Sequence, residues 1–123
     1  MPASRIEVIS QTVGIFAENS YFLVEPSSLE AIAIDPGDEA DRLLDVVRGR
    51  ALTVRFILNT HGHIDHVGAV AEVKAATGAP FHIHEADLPF LEALPGQAAM
   101  FGLASPPVPG VDGHLKDGQV FTL

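Results

Sequence analysis

Thr60-His61-Gly62-His63-Ile64-Asp65-His66 is the stretch on which the reading of this chain turns. It places three imidazoles and a carboxylate within six positions, directly after Val54 to Leu58, a β-branched and apolar run that reads as a buried strand. In an extended loop alternate residues point the same way, so His61 and His63 can present both rings to one cation. Asp65 can point with them, and His66 follows as a helix begins. A pair of histidines with one further ligand and a water is the open arrangement of a catalytic zinc site, whereas a structural site closes all four positions with protein. Dividing the four ligands into two pairs invites two ions, about 3.5–4 Å apart, that share a bridging hydroxide able to attack a carbonyl or phosphoryl centre. A histidine-rich turn can arise by accident, but four candidate ligands at fixed spacing behind a strand outweigh that reading.

Composition limits what such a site can belong to. At 123 residues the chain fits one domain, and 47% apolar residues can fill a core. Sixteen acidic against seven basic side chains give a formal charge of -9, with no Lys or Arg cluster, which disfavours nucleic acid and anionic membrane as partners. There is no cysteine, so any metal ligands must be imidazole or carboxylate. Met1-Pro2-Ala3-Ser4-Arg5 leads into alternating residues without the apolar stretch of a signal peptide, and no segment approaches a membrane span. A soluble, cytoplasmic protein is the expectation.

Hydrophobic period supplies the rest. Arg5 to Thr12 alternates as a first strand, and Asn19 to Val24 and Leu29 to Ile34 form an antiparallel pair around the turn residues Glu25-Pro26-Ser27-Ser28. Asp38 is expected to cap a helix over Glu39 to Arg48, with Leu43, Leu44, Val46 and Val47 as its core stripe and Gly49 at its end. Val67 to Thr77 reads as one helix ending at Gly78, Pro80 to Ile83 as a short strand, and Asp87 to Leu94 as a short helix that tolerates Pro89 in its first turn. Ser105 to Gly110 is a proline-stiffened loop, and the tail from Leu115, with a turn at Asp117-Gly118, is expected to enter a strand.

Gly62 is expected to let the histidine loop turn tightly, and Gly68 to let the following helix pack closely. His82 and His84 could bind metal, but strand alternation explains them more simply, and His114 reads as a solvated loop residue. Asp35, at the end of a strand in Ile-Asp-Pro-Gly, either caps its local turn or accepts a hydrogen bond that steadies the metal loop.

Thr60 to His66 followed by Val67-Gly68-Ala69 resembles the H-x-H-x-D-H signature of the metallo-β-lactamase superfamily. Asn19 to Val24, Ala33 to Gly37 and Phe56 to Thr60 are similar to the strands that lead into the metal loop of glyoxalase II-like hydrolases, and Leu94 to Gln97 with Met100-Phe101-Gly102 resembles their small bacterial members. The resemblance implies an α/β fold, the αββα sandwich, of which residues 1–123 would be the N-terminal sheet-plus-helices portion of a single, truncated domain. It implies two divalent metal ions, zinc with iron or manganese as substitutes: His61 and His63 on the first, Asp65 and His66 on the second. Asp65 would also be catalytic, orienting or deprotonating the attacking water, and Asp35 would support the loop. A metal-bound hydroxide would attack a thioester carbonyl of the hydroxyacylglutathione type. The alternatives are an iron-dependent persulfide dioxygenase, or a non-catalytic half-domain that self-associates. In the family a second half carries further ligands, so a complementing second half or self-association is expected to cover the apolar face of the sheet.

Overall fold

The computed structural model describes residues 5–123, so the reading of Met1 to Ser4 lies outside the described residues. Six strands form one mixed sheet in chain order. β2 (Glu18–Val24) pairs antiparallel with both β1 (Glu7–Val13) and β3 (Glu30–Ile34). β4 (Thr53–Leu58), β5 (Phe81–Ile83) and β6 (Gly113–His114) then add in parallel. Parallel neighbours need crossovers, and helices supply them: α1 (Ala40–Gly49) joins β3 to β4, while α2 (Ile64–Val67) and α3 (Val70–Thr77) join β4 to β5. α4 (Leu88–Glu92) and α5 (Leu94–Met100) precede β6.

The core lies between one face of the sheet and these helices. Phe22, Val24, Ala33, Ile57, Phe81 and Ile83 project from the strands onto Leu43 of α1, Val67 of α2 and Val70 and Val73 of α3. Alternation along β2 sends Glu18, Ser20, Phe22 and Val24 inward, so two polar residues enter the interior where that strand begins. On the opposite face Tyr21, Leu23, Ile34, Phe56 and Leu58 are half-buried.

The structure corrects several expectations. Asp38 does not cap α1; its carboxylate accepts the N–H of Glu39 at 2.7 Å, and Glu39 itself precedes the helix in the left-handed region at φ 50°. The Glu39 carboxylate instead accepts from Gly14 N at 2.8 Å, tying the β1–β2 hairpin to α1. The single helix expected over Val67 to Thr77 is broken at Gly68-Ala69, because Ala69 N donates to Pro36 O at 3.0 Å and Gly68 lies against the backbone of Gly37. α5 was missed because Pro95-Gly96 reads as a break, although proline fits the first turn of a helix. His114 pairs in β6 rather than lying in a loop. The turn at Asp117-Gly118 forms, but no strand follows it among the described residues; Phe121 packs edge-on against Phe56 and near His82 on the sheet's second face.

No described helix is long and apolar enough to cross a membrane.

Candidate metal centre

The histidine loop leaves the carboxyl end of β4, and residues on every side fix its course. Asn59, only 2% exposed, donates from Nδ2 to His66 O at 2.7 Å and reaches toward His61 O at 3.4 Å, which clamps both ends of the loop. Ile64 N donates to Gln97 Oε1 at 2.9 Å, and Gln97 Nε2 donates to Phe90 O, so α5 and α4 hold the middle. Two glycines permit the close approach behind it: a Cβ on Gly37 would stand 2.0 Å from Asp65 O, and one on Gly68 would stand 2.4 Å from Gly37 O. Gly62 serves in the same way, facing Asp87 O and Phe90, rather than by making a tight turn.

His66 lies in the first turn of α2, as expected where a helix begins, and Asp65 lies there with it rather than in the extended loop. The rings nevertheless converge. His61 stands 5.0 Å from His63 and 3.8 Å from His66, centroid to centroid. His66 Nε2 is 3.5 Å from Asp65 Oδ2, close to the separation of two ligand atoms that share an ion at about 2.0–2.2 Å.

Asp35 organises these rings, which resolves the alternative left open for it. Held at φ 51° at the end of β3 and 4% exposed, it accepts from Thr60 N at 2.6 Å and from Thr60 Oγ1 at 2.5 Å. Its Oδ2 also faces His66 Nδ1 at 3.0 Å. A carboxylate only accepts, so His66 carries its proton on Nδ1 and leaves the Nε2 lone pair free. The Thr60 hydroxyl, having donated to Asp35, accepts from His61 Nδ1 at 3.0 Å, and the Nε2 lone pair of His61 is freed in the same way. One buried carboxylate thus sets two tautomers.

Sequence reasoning missed Glu18, Ser20 and Asn59. Glu18 Oε1 lies 3.3 Å from His66 Nδ1. Burial, then the charges of Asp35 and Asp65, raise its carboxyl to a pKa of about 8, with a partial offset from Ser20. Ser20 Oγ donates to Asp35 O at 2.6 Å and accepts from Gly37 N. The signal was available in β2, whose alternation places Glu18 and Ser20 in phase with the core residues Phe22 and Val24. Asn59 follows Leu58 at the strand end and carried no pattern of its own. His82 and His84 do not join the site: His82 packs on the sheet's second face, and His84 Nδ1 accepts from Ala86 N.

The donor set suits a cation. Glu18, Asp35 and Asp65 converge on His66, and among the described residues none of the three forms an ion pair with Lys or Arg. The ligand atoms of Glu18, Asp35 and His66 lie within 4.8 Å of one another, and beside them the rings of His61, His63 and His66 gather with Asp65. Asp35 is held by Thr60 and the His66 ring, and Glu18 Oε2 lies 3.4 Å from Ser20 Oγ, while Glu18 Oε1 is buried without a hydrogen-bond partner among the described residues.

A family model described as the metallo-beta-lactamase superfamily matches residues 13–122. Hydroxyacylglutathione hydrolase GloC of Haemophilus influenzae is 38% identical over 114 residues, 92% of this chain and 50% of that protein. The probable metallo-hydrolase YqgX of Bacillus subtilis is 32% identical over 109 residues, 87% of this chain and 50% of its own length. Among solved structures, TTHA1623 in a di-iron-bound form superposes with a TM-score of 0.81 at 37% identity, covering 92% of this chain and 56% of that one. The B3 metallo-beta-lactamase BLEG-1 gives a TM-score of 0.83 at 28% identity, over 95% of this chain and 56% of its own. The chain spans about half the length of the curated relatives it matches.

Proposed function

The chain belongs to the metallo-beta-lactamase superfamily, and from that membership we propose that the protein built on it is a metal-dependent hydrolase of thioesters of the hydroxyacylglutathione type. The observation that carries the reading is the pair of tautomers set through Asp35, which frees the Nε2 atoms of His61 and His66 as ligands, the latter beside Asp65. The similarity to a hydroxyacylglutathione hydrolase supports the substrate class. His61 and His63 hold one ion, and Asp65 and His66 hold the second. Zinc is the metal proposed, and the same imidazole and carboxylate donors suit iron and manganese. Such ions supply Lewis acidity at the carbonyl and bring the pKa of a bound water near neutrality.

The chain's own residues do the rest. Asp35 and Thr60 keep the histidines in the ligating tautomer, and Asn59 and Gln97 hold the loop so that the rings need not reorganise on binding. Asp65, with a side chain 32% exposed, is open enough to hold a water and take its proton. The water oxygen joins the carbonyl carbon, the carbon–sulfur bond breaks, and the thiol departs with a proton while the acid remains.

Hydrolysis of S-lactoylglutathione by the protein that carries this chain, loaded in turn with zinc, iron or manganese, tests the proposal. Turnover that vanishes on metal removal and returns on reloading is expected. No turnover above the metal-stripped sample with any of the three would overturn it.

A further inference from the structure

A second cavity of about 230 Å³ adjoins the metal loop. Val13, Phe16, Ile64, Leu103 and Pro106 wall it, and its polar edge is formed by the carboxylates of Asp38 and Asp65. Phe16 and Asp65 also line the neighbouring polar cleft, of about 340 Å³, that contains Glu18, Asp35 and His66. The two spaces therefore meet at Asp65, one charged and the other mostly apolar.

Phe16, from the tip of the β1–β2 hairpin, meets Phe101 edge-to-face with ring centroids 4.9 Å apart. The two rings are 42% and 51% exposed, an aromatic pair left partly wet beside the cavity. No Lys or Arg lines either space, and Asp38 and Asp65 would repel an anion, so the apolar side disfavours an anionic occupant. Apolar cavities of about 150 Å³ accept benzene, so this one has room for a phenyl ring or a chain of about six carbons.

We propose that this cavity receives the apolar acyl group of a thioester whose carbonyl lies at Asp65, so that medium-length or aromatic acyl groups are preferred over short hydroxyacyl groups. The inference rests on the thioester reading above and replaces its hydroxyacyl group with a more apolar acyl group. Each methylene that leaves water for such a space tightens binding about fourfold.

The test is equilibrium binding to the metal-free chain, where no turnover intrudes. The probes are the acetyl, butanoyl, hexanoyl and lactoyl thioesters of N-acetylcysteamine, followed by amide chemical shifts. Affinity is expected to climb about threefold to fourfold per methylene up to hexanoyl, with lactoyl binding no better than acetyl and with shifts at Val13, Ile64 and Leu103. Leu103→Trp should fill the cavity and erase the chain-length dependence. Phe16→Ala, at an exposed hairpin tip, should weaken hexanoyl several-fold and carries the test should the larger substitution fail to fold. Affinity independent of chain length, shifts confined to another face, or wild-type binding by both folded variants would overturn the inference. Metal-dependent turnover of S-lactoylglutathione alongside such flat binding would sink the cavity assignment alone. Graded binding with no turnover of any thioester would uphold the cavity and sink the hydrolase reading.

Discussion

Replacing Asp35 by Asn preserves the outline of the side chain and removes its charge, and the result can be followed atom by atom. Thr60 N donates to Oδ1 at 2.6 Å, so the amide oxygen must take that position and the amide nitrogen must take that of Oδ2. There it faces His66 Nδ1 at 3.0 Å and Thr60 Oγ1 at 2.5 Å, and it donates where the carboxylate accepted. His66 must then accept on Nδ1 and carry its proton on Nε2. The Thr60 hydroxyl, released from donating to Asp35, turns to His61 Nδ1 at 3.0 Å and drives that ring to the same tautomer. Two ligand lone pairs are lost together. Loss of one outer partner of a ligating histidine typically lowers metal affinity 10–100-fold, and the upper end, about 2.7 kcal/mol, is expected here. Competition for zinc against a chromophoric chelator measures the affinity, and ring nitrogen shifts of the metal-free protein report the tautomers. Affinity within about threefold of wild type, with Nε2 of both rings still unprotonated, would refute this chain of hydrogen bonds.

Three further outcomes follow from the same geometry. Gly68→Ala puts a Cβ 2.4 Å from Gly37 O and should lower stability by about 1–3 kcal/mol in urea titration, since backbone on both sides must separate. Asn59→Ala strips the buried acceptor His66 O of its donor at 2.7 Å and should cost about 1–3 kcal/mol, with faster amide exchange through the histidine loop. Glu18 has a folded pKa of about 8 against 4.5 when free, so its contribution to the stability of the metal-free protein is whole below pH 4.5 and is lost as pH climbs through 8. Glu18→Gln should therefore be increasingly more stable than wild type across that range, by no more than about 5 kcal/mol, and parallel pH–stability curves for the two proteins would contradict the burial argument.

The elements that sequence alone made legible are those whose pattern is local. Period-two alternation found β1, short apolar runs around a turn found β2 and β3, and the run Val54 to Leu58 placed the histidine loop at a strand end. The helix break at Gly68-Ala69 was not legible, because it depends on Pro36 O and Gly37 O, more than thirty residues upstream. Asp35 could be read two ways because a carboxylate before Pro-Gly suits a turn; its contacts with Thr60 and His66 exist only once β3 and β4 lie side by side. Glu18 went unnoticed because an acidic residue beside a hairpin tip is ordinarily solvated, although its phase along β2 placed it inside.

Metal is expected on the Nε2 side of the histidine loop, with Asp65. Anomalous diffraction at the zinc edge, from crystals grown with zinc, tests it most directly. A peak is expected about 2.0–2.2 Å from ring nitrogens and a carboxylate oxygen drawn from His61, His63, Asp65 and His66. A peak enclosed by Glu18, Asp35 and His66 Nδ1, or no peak at the loop at all, would contradict it.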